Sequence, residues 1–215
     1  MSTQSQAVPN HHADYPGFAG ITGLLAATSM AIGRQGDARL AERLSHLHAG
    51  DSVVDVGCGP GAAARRAARL ATSVIGVDPA PVMLRVARLL TNSSGTVRYA
   101  AGTAEALPLP DHCASVLWTI ASVHHWADLD AALSEAGRVL KPEGRLVAIE
   151  RRTRPGARGH GSHGWTDEQA TAFAALCRQH GFIDTEVDRH QTGRRCTLSV
   201  TASTPAVAAR GRGST

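Results

Sequence analysis

Apolar and polar positions fall along this chain in two kinds of block. Short apolar runs, rich in valine, predict strands at 52–56, 73–78, 96–100, 114–119 and 145–150. Segments of helical length lie between them and predict helices at 61–70, 80–91 and 128–140. Ahead of the first strand, an amphipathic helix is predicted from its cap, Asp37, to His48, with Gly50 as its stop. Beyond the fifth strand, Thr166 caps a helix to His180; Asp167 and Glu168 suit its first turn and Gly181 ends it. Two final strands, 182–189 and 195–202, join around Gly193 and read as antiparallel. Strands alternating with helices call for a mostly parallel sheet with right-handed crossovers and helices on both faces.

The stretch from Val53 to Gly61, VVDVGCGPG, carries the most chemistry. Val53, Val54 and Val56 suit a strand buried on both faces. Gly57, Gly59 and Gly61 let the backbone turn sharply and lie close to a ligand, and Pro60 suits the first turn of a helix. The stretch reads as strand, tight loop and helix, with something bound at the loop. Its glycines also satisfy the relaxed dinucleotide pattern G-x-G-x-x-G/A, which sets a pyrophosphate on a helix N-terminus. Asp55 argues against that, because a carboxylate before the loop repels pyrophosphate and welcomes a ligand carrying an ammonium group. The second strand ends in Asp78, 21 residues beyond Gly57, where an acid accepts hydrogen bonds from a ribose diol. Acid, glycines and acid across two strands point to a nucleoside that carries positive charge.

These residues resemble the class I S-adenosylmethionine-dependent methyltransferases, in the group of small enzymes acting on small molecules. VVDVGCGPG is similar to the first motif of that family and VIGVDPA, Val74–Ala80, to its second. GTAEALPLPDHCASVLW, Gly102–Trp118, resembles the adenine segment that leads into strand four. LSEAGRVLKPEGRLVAIE, Leu133–Glu150, resembles the helix and turn before strand five. The resemblance runs from about Leu40 to Glu150 and more weakly to Ser203. It implies a Rossmann-like α/β/α sandwich of three layers, with a seven-stranded, mostly parallel sheet whose last strand is antiparallel. It also implies S-adenosyl-L-methionine as cofactor, in-line methyl transfer to a small organic acceptor, and S-adenosylhomocysteine as product. A protein that binds the cofactor without transfer, or an NAD-dependent oxidoreductase, is the alternative; the second should carry a longer substrate region after strand five.

The resemblance assigns cofactor contacts to Asp55, Gly57, Cys58, Gly59, Gly61, Asp78 and Pro79, to Met83 beside the adenine, and to Thr103, Ala104, Glu105 and Thr119. Many relatives carry Asp where Thr103 stands. Glu105 has a second reading, as a cap for a short helix after it. His124 and His125, after strand four, are the catalytic candidates, since imidazole titrates near neutrality and serves as a general base. Trp126, Glu150 and, from a lid ahead of the domain, Tyr15 and Phe18 are the candidate acceptor contacts. Glu150 has an equal reading as an ion-pair partner of Arg151 or Arg152. Such sites draw about 7–11 kcal/mol of barrier lowering from alignment and exclusion of water, and a base is needed only for a hydroxyl or carbon acid.

Composition narrows the picture further. The chain has 215 residues, which suits one α/β domain. Residues 1–36 read as a helical cap, 37–203 as the domain and 204–215 as a disordered tail. The net charge is +4, but aromatics make up only 4%, which argues against nucleic acid as partner. The Gly-rich basic stretch Arg151–Gly164 reads as a flexible loop or as the recognition element for an anionic acceptor. Its longest apolar stretch, Ile21–Ile32, is too short to span a bilayer, and a cytoplasmic address is expected. Cys58, Cys113, Cys177 and Cys196 have no C-x-x-C spacing and read as reduced thiols. His11 with His12 and His160 with His163 offer pairs of imidazoles, but no metal is expected. The oligomeric state has no sequence signature.

Overall fold

The computed structural model describes residues 35–91, 95–192 and 195–207. Seven strands form one sheet: β1 Ser52–Val56, β2 Ser73–Asp78, β3 Val97–Ala101, β4 Ala114–Ile120, β5 Leu140–Arg151, β6 Ile183–Thr192 and β7 Arg195–Ser203. Their order is β3-β2-β1-β4-β5-β7-β6. β1, β2, β3, β4 and β5 pair in parallel, while β7 is antiparallel to both β5 and β6. The expected seven-stranded sheet with an antiparallel last strand is the one observed. Among the described residues five α-helices accompany it: α1 Gln35–Leu44, α2 Ala62–Ala67, α3 Pro81–Leu90, α4 Leu129–Val139 and α5 Asp167–Gln179. One buried cluster joins α1 and α2 to the sheet through Val53, Val116, Trp118 and Ile149. The other joins α4 and α5 through Leu117, Leu133, Leu146 and Phe173. The chain therefore changes direction between β1 and β4, and the crevice beyond their carboxyl ends is where open α/β sheets bind ligands.

Several boundaries depart from expectation, each for a local reason. α1 ends at Leu44 rather than His48, because His46 has a φ of 47° and Arg145 donates to the carbonyls of Ser45 and His46. α2 stops at Ala67, where the chain tightens into three-residue turns. β5 begins at Leu140 instead of after the Lys-Pro-Glu-Gly turn. Leu140 pairs with Ala114, and the register then shifts before Val116. Glu143, at φ 60°, absorbs the irregularity. The same turn holds Thr204, whose amide donates to Gly144 O and whose hydroxyl donates to Lys141 O. Of the expected 204–215 tail, residues 204–207 are therefore described, and residues 208–215 lie outside the described residues. All but the last two residues of the expected 1–36 cap also lie outside them, with Tyr15 and Phe18.

Candidate active site

β1 runs directly into the glycine loop. The amides of Gly57 and Cys58 both donate to Val77 O, at 2.8 and 3.0 Å, which ties the loop to the end of β2. Gly57, Gly59 and Gly61 have φ of 72°, 52° and 75°, where side chains are strained. A Cβ on Gly57 would stand 1.9 Å from Ser122 Oγ, and one on Gly61 would stand 2.2 Å from the Tyr99 hydroxyl. A Cβ on Gly59 would meet nothing within 4 Å. The loop is packed hard at both ends and bare at its tip, as a cradle for a bound group requires.

Two buried carboxylates flank that tip. Asp55 is 2% exposed and lies on the central strand between Gly76 and Trp118. Asp78 closes β2 and accepts hydrogen bonds from the amides of Gly59 (2.8 Å) and Ala80 (2.9 Å). Asp78 thus shapes the loop from the end of β2. Their charge is felt by Cys58 between them: burial first, then Asp55 and Asp78, push its thiol far above the ordinary range. Such a field opposes pyrophosphate and suits a sulfonium or ammonium cation.

Across the crevice a 3₁₀ turn at Val123–His125 follows β4. Its first histidine is held by the end of β5. Glu150, with a side chain 0% exposed, accepts from His124 Nδ1 at 2.9 Å and from the His124 amide at 3.4 Å. A carboxylate opposite Nδ1 keeps the proton there and leaves Nε2 with its lone pair. Nε2 is buried and has no hydrogen-bond partner within the protein. The turn touches the glycine loop through Ser122, whose carbonyl accepts from the His125 amide.

Residues 54–148 match the family described as "Methyltransferase domain". This segment is a methyltransferase domain of the class I, S-adenosylmethionine-dependent kind. The chain is 33% identical over 116 residues to the uncharacterized methyltransferase YcgJ of Bacillus subtilis, covering 53% of this chain and 46% of that one. It is 34% identical over 112 residues to a demethylmenaquinone methyltransferase of Tropheryma whipplei, covering 52% and 46%. The chain thus matches about half the length of these relatives. Its fold superposes on a SAM-dependent methyltransferase from Aquifex aeolicus with a TM-score of 0.69 at 19% identity, covering 83% of this chain and 97% of that one.

The remaining methyltransferase-motif residues occupy varied positions. Pro79 is exposed and Met83 is buried on α3. Thr103 is exposed and forms a backbone bridge with Ala106, while Ala104 is buried beneath it. No helix follows Glu105; its carboxylate instead accepts from the Ala127 amide at 2.7 Å and so caps the approach to α4. Thr119 is fully buried within β4. Trp126 lies in the core with its ring edge-on to Phe173, centroids 6.3 Å apart. Glu150 pairs with His124 and not with its arginine neighbours; Arg152 pairs with Asp167 at 2.6 Å. Among Cys58, Cys113, Cys177 and Cys196 no disulfide forms.

Sequence reasoning missed Tyr99 and Ser122, and it set His163 only beside His160. Tyr99 lies over Gly76 and against Gly61, filling the space behind the loop. Ser122 packs on Gly57. His163 comes from the basic loop after β5, which is pinned rather than loose. Trp165 donates to Arg151 O at 2.9 Å, Thr153 to Trp165 O at 2.7 Å, and Arg151 Nε to His163 O at 3.1 Å. Only the histidine richness of the chain hinted at this arrangement, and no local spacing pointed to it.

Proposed function

We propose that this chain binds S-adenosyl-L-methionine on the Gly57–Gly61 loop and transfers its methyl group to a small organic acceptor. The observation that carries the proposal is the bare Gly59 tip between two buried carboxylates at the sheet's switch point. Asp55 suits the ammonium end of the cofactor and the Asp78 carboxylate suits its ribose, with Thr103–Glu105 toward the adenine. Bound there, S-adenosylmethionine supplies an electrophilic sulfonium methyl. The protein's part is to align the acceptor and exclude water. His124, aimed by Glu150, offers the lone pair that holds an acceptor hydroxyl or takes its proton. The relatives named for methyl transfer to a quinone precursor support a small-molecule acceptor. No helix among the described residues is long and apolar enough to cross a membrane.

Calorimetry on the full chain tests this reading. S-adenosylmethionine should bind at micromolar concentration, NAD should not, and Asp78→Ala should lose the binding while circular dichroism shows an intact fold. Binding of NAD without S-adenosylmethionine would refute the proposal. Release of S-adenosylhomocysteine with a panel of hydroxyl-bearing acceptors then separates transfer from binding alone.

A further inference from the structure

Beyond the cradle, three imidazoles converge at the acceptor end of the crevice. His124 and His125 come from the turn after β4, and His163 from the loop after β5. Their ring centroids lie 4.0 Å (His124–His125), 5.4 Å (His124–His163) and 5.6 Å (His125–His163) apart. One nitrogen from each lies within 4.8 Å of the others. We propose that His124, His125 and His163 bind a late first-row divalent cation of the zinc class, leaving a fourth position for an oxygen ligand.

Four observations support the site. The donor set is three neutral imidazoles, which select zinc and its neighbours over magnesium or calcium. His124 has the build of a metal ligand: its side chain is 9% exposed, its Nδ1 is held by a carboxylate, and its buried Nε2 has no partner in the protein. A carboxylate behind a ligating imidazole fixes the tautomer and raises the basicity of the free nitrogen. The third donor is carried on an anchored backbone. Gly164 next to it has a φ of 134°, and a Cβ there would stand 2.1 Å from Arg151 O, so the bend that delivers His163 needs glycine. Finally, the geometry is nearly closed. Tetrahedral ligands at about 2.0–2.1 Å put nitrogens about 3.3 Å apart, so rotation of the exposed His125 and half-buried His163 rings completes the set.

Three histidines with one open position is the arrangement of a catalytic rather than a structural zinc site. Ser122 links this cluster to Gly57, so an oxygen at the fourth position would lie in the acceptor space. The acceptor class is then one that presents a hydroxyl or enol oxygen to the cation. That assignment rests on the methyl-transfer reading; the metal site itself does not. It also revises the sequence-based expectation of no metal, because His163 lies beside His124 and His125.

The full chain, stripped with a chelator, should be titrated with Co²⁺ and followed by visible absorption, then by equilibrium dialysis with Zn²⁺. One Co²⁺ per chain with a strong four-coordinate spectrum is expected, displaced by Zn²⁺. His163→Ala, on the surface loop, should abolish that spectrum without changing the melting temperature. Glu150→Gln should weaken Zn²⁺ binding about 10–100-fold. Absence of a four-coordinate spectrum, or unchanged binding in His163→Ala, overturns the proposal. Calorimetry with S-adenosylmethionine on the same preparations separates the two readings. Metal binding that survives in Asp78→Ala supports the site whatever becomes of the cofactor. Cofactor binding with no metal binding sinks the site alone.

Discussion

At the scale of single residues, the glycine loop separates strain from occupancy. Gly57 and Gly59 share the left-handed backbone, but of the two only Gly57 would bring an added Cβ against a neighbour, 1.9 Å from Ser122 Oγ. Gly57→Ala therefore combines backbone strain of about 1–3 kcal/mol with a displaced Ser122 turn. Urea unfolding should register that loss, and calorimetry should find no S-adenosylmethionine binding. Gly59→Ala meets open space, so its stability cost stays near the backbone strain of about 1–2 kcal/mol. Its methyl group nonetheless stands in the cradle, and binding should weaken with the fold intact. Equal binding by Gly59→Ala and the native chain would place the cofactor elsewhere.

At the scale of elements, the loop from Arg152 to Trp165 decides how the crevice is built beyond β5. It returns to the end of β5 by pairing Arg152 with Trp165. It then enters α5 through a capping box, in which Thr166 and Gln169 satisfy one another's amides at 3.3 and 2.8 Å. Asp167 in the first turn of α5 accepts from Arg152 and Arg189, which hold its carboxyl below the ordinary range. The bend at Gly164 is the point where one added atom undoes this. Gly164→Ala should destabilise loop closure by more than about 1 kcal/mol. Cleavage of an open loop follows its population, so trypsin should cut after Arg158, which Gly159 follows, at least about fivefold faster. Unchanged cleavage would mean that the loop is open in the native protein as well.

For the whole molecule, one buried carboxylate fastens the end of the sheet opposite the crevice. Asp51, 1% exposed, accepts from the His48 amide (2.9 Å), Ser115 Oγ (2.7 Å) and the Arg145 guanidinium. It joins the chain after α1 to the starts of β1 and β4 and to β5. Arg145 in turn donates to the carbonyls where α1 ends. Asp51→Ala leaves the Arg145 charge without its buried partner, so unfolding should become easier by about 3–5 kcal/mol. The site lies at the other end of the strands. S-adenosylmethionine binding measured well below the melting temperature should therefore stay near native in Asp51→Ala. Loss of binding without loss of stability would contradict this division between the two ends.

Strands, helices and the glycine loop were legible because each rests on neighbours in sequence. Val53–Val56 needs only its own apolar run, Thr166 only the amide three residues on, and Gly57–Gly61 only its backbone freedom. The acid–glycine–acid pattern likewise named Asp55 and Asp78 without reference to other parts of the chain. What sequence alone did not contain is which distant side chains share a space. Asp78 accepts from the Gly59 and Ala80 amides, Tyr99 stands behind Gly61, and Glu150 meets His124 because β4 and β5 pair in one particular register. His163 reaches the same crevice only because a glycine bend folds its loop back on Arg151. Local periodicity determines the elements. The register and layering of the sheet decide which of their ends meet, and at this site that decides the chemistry.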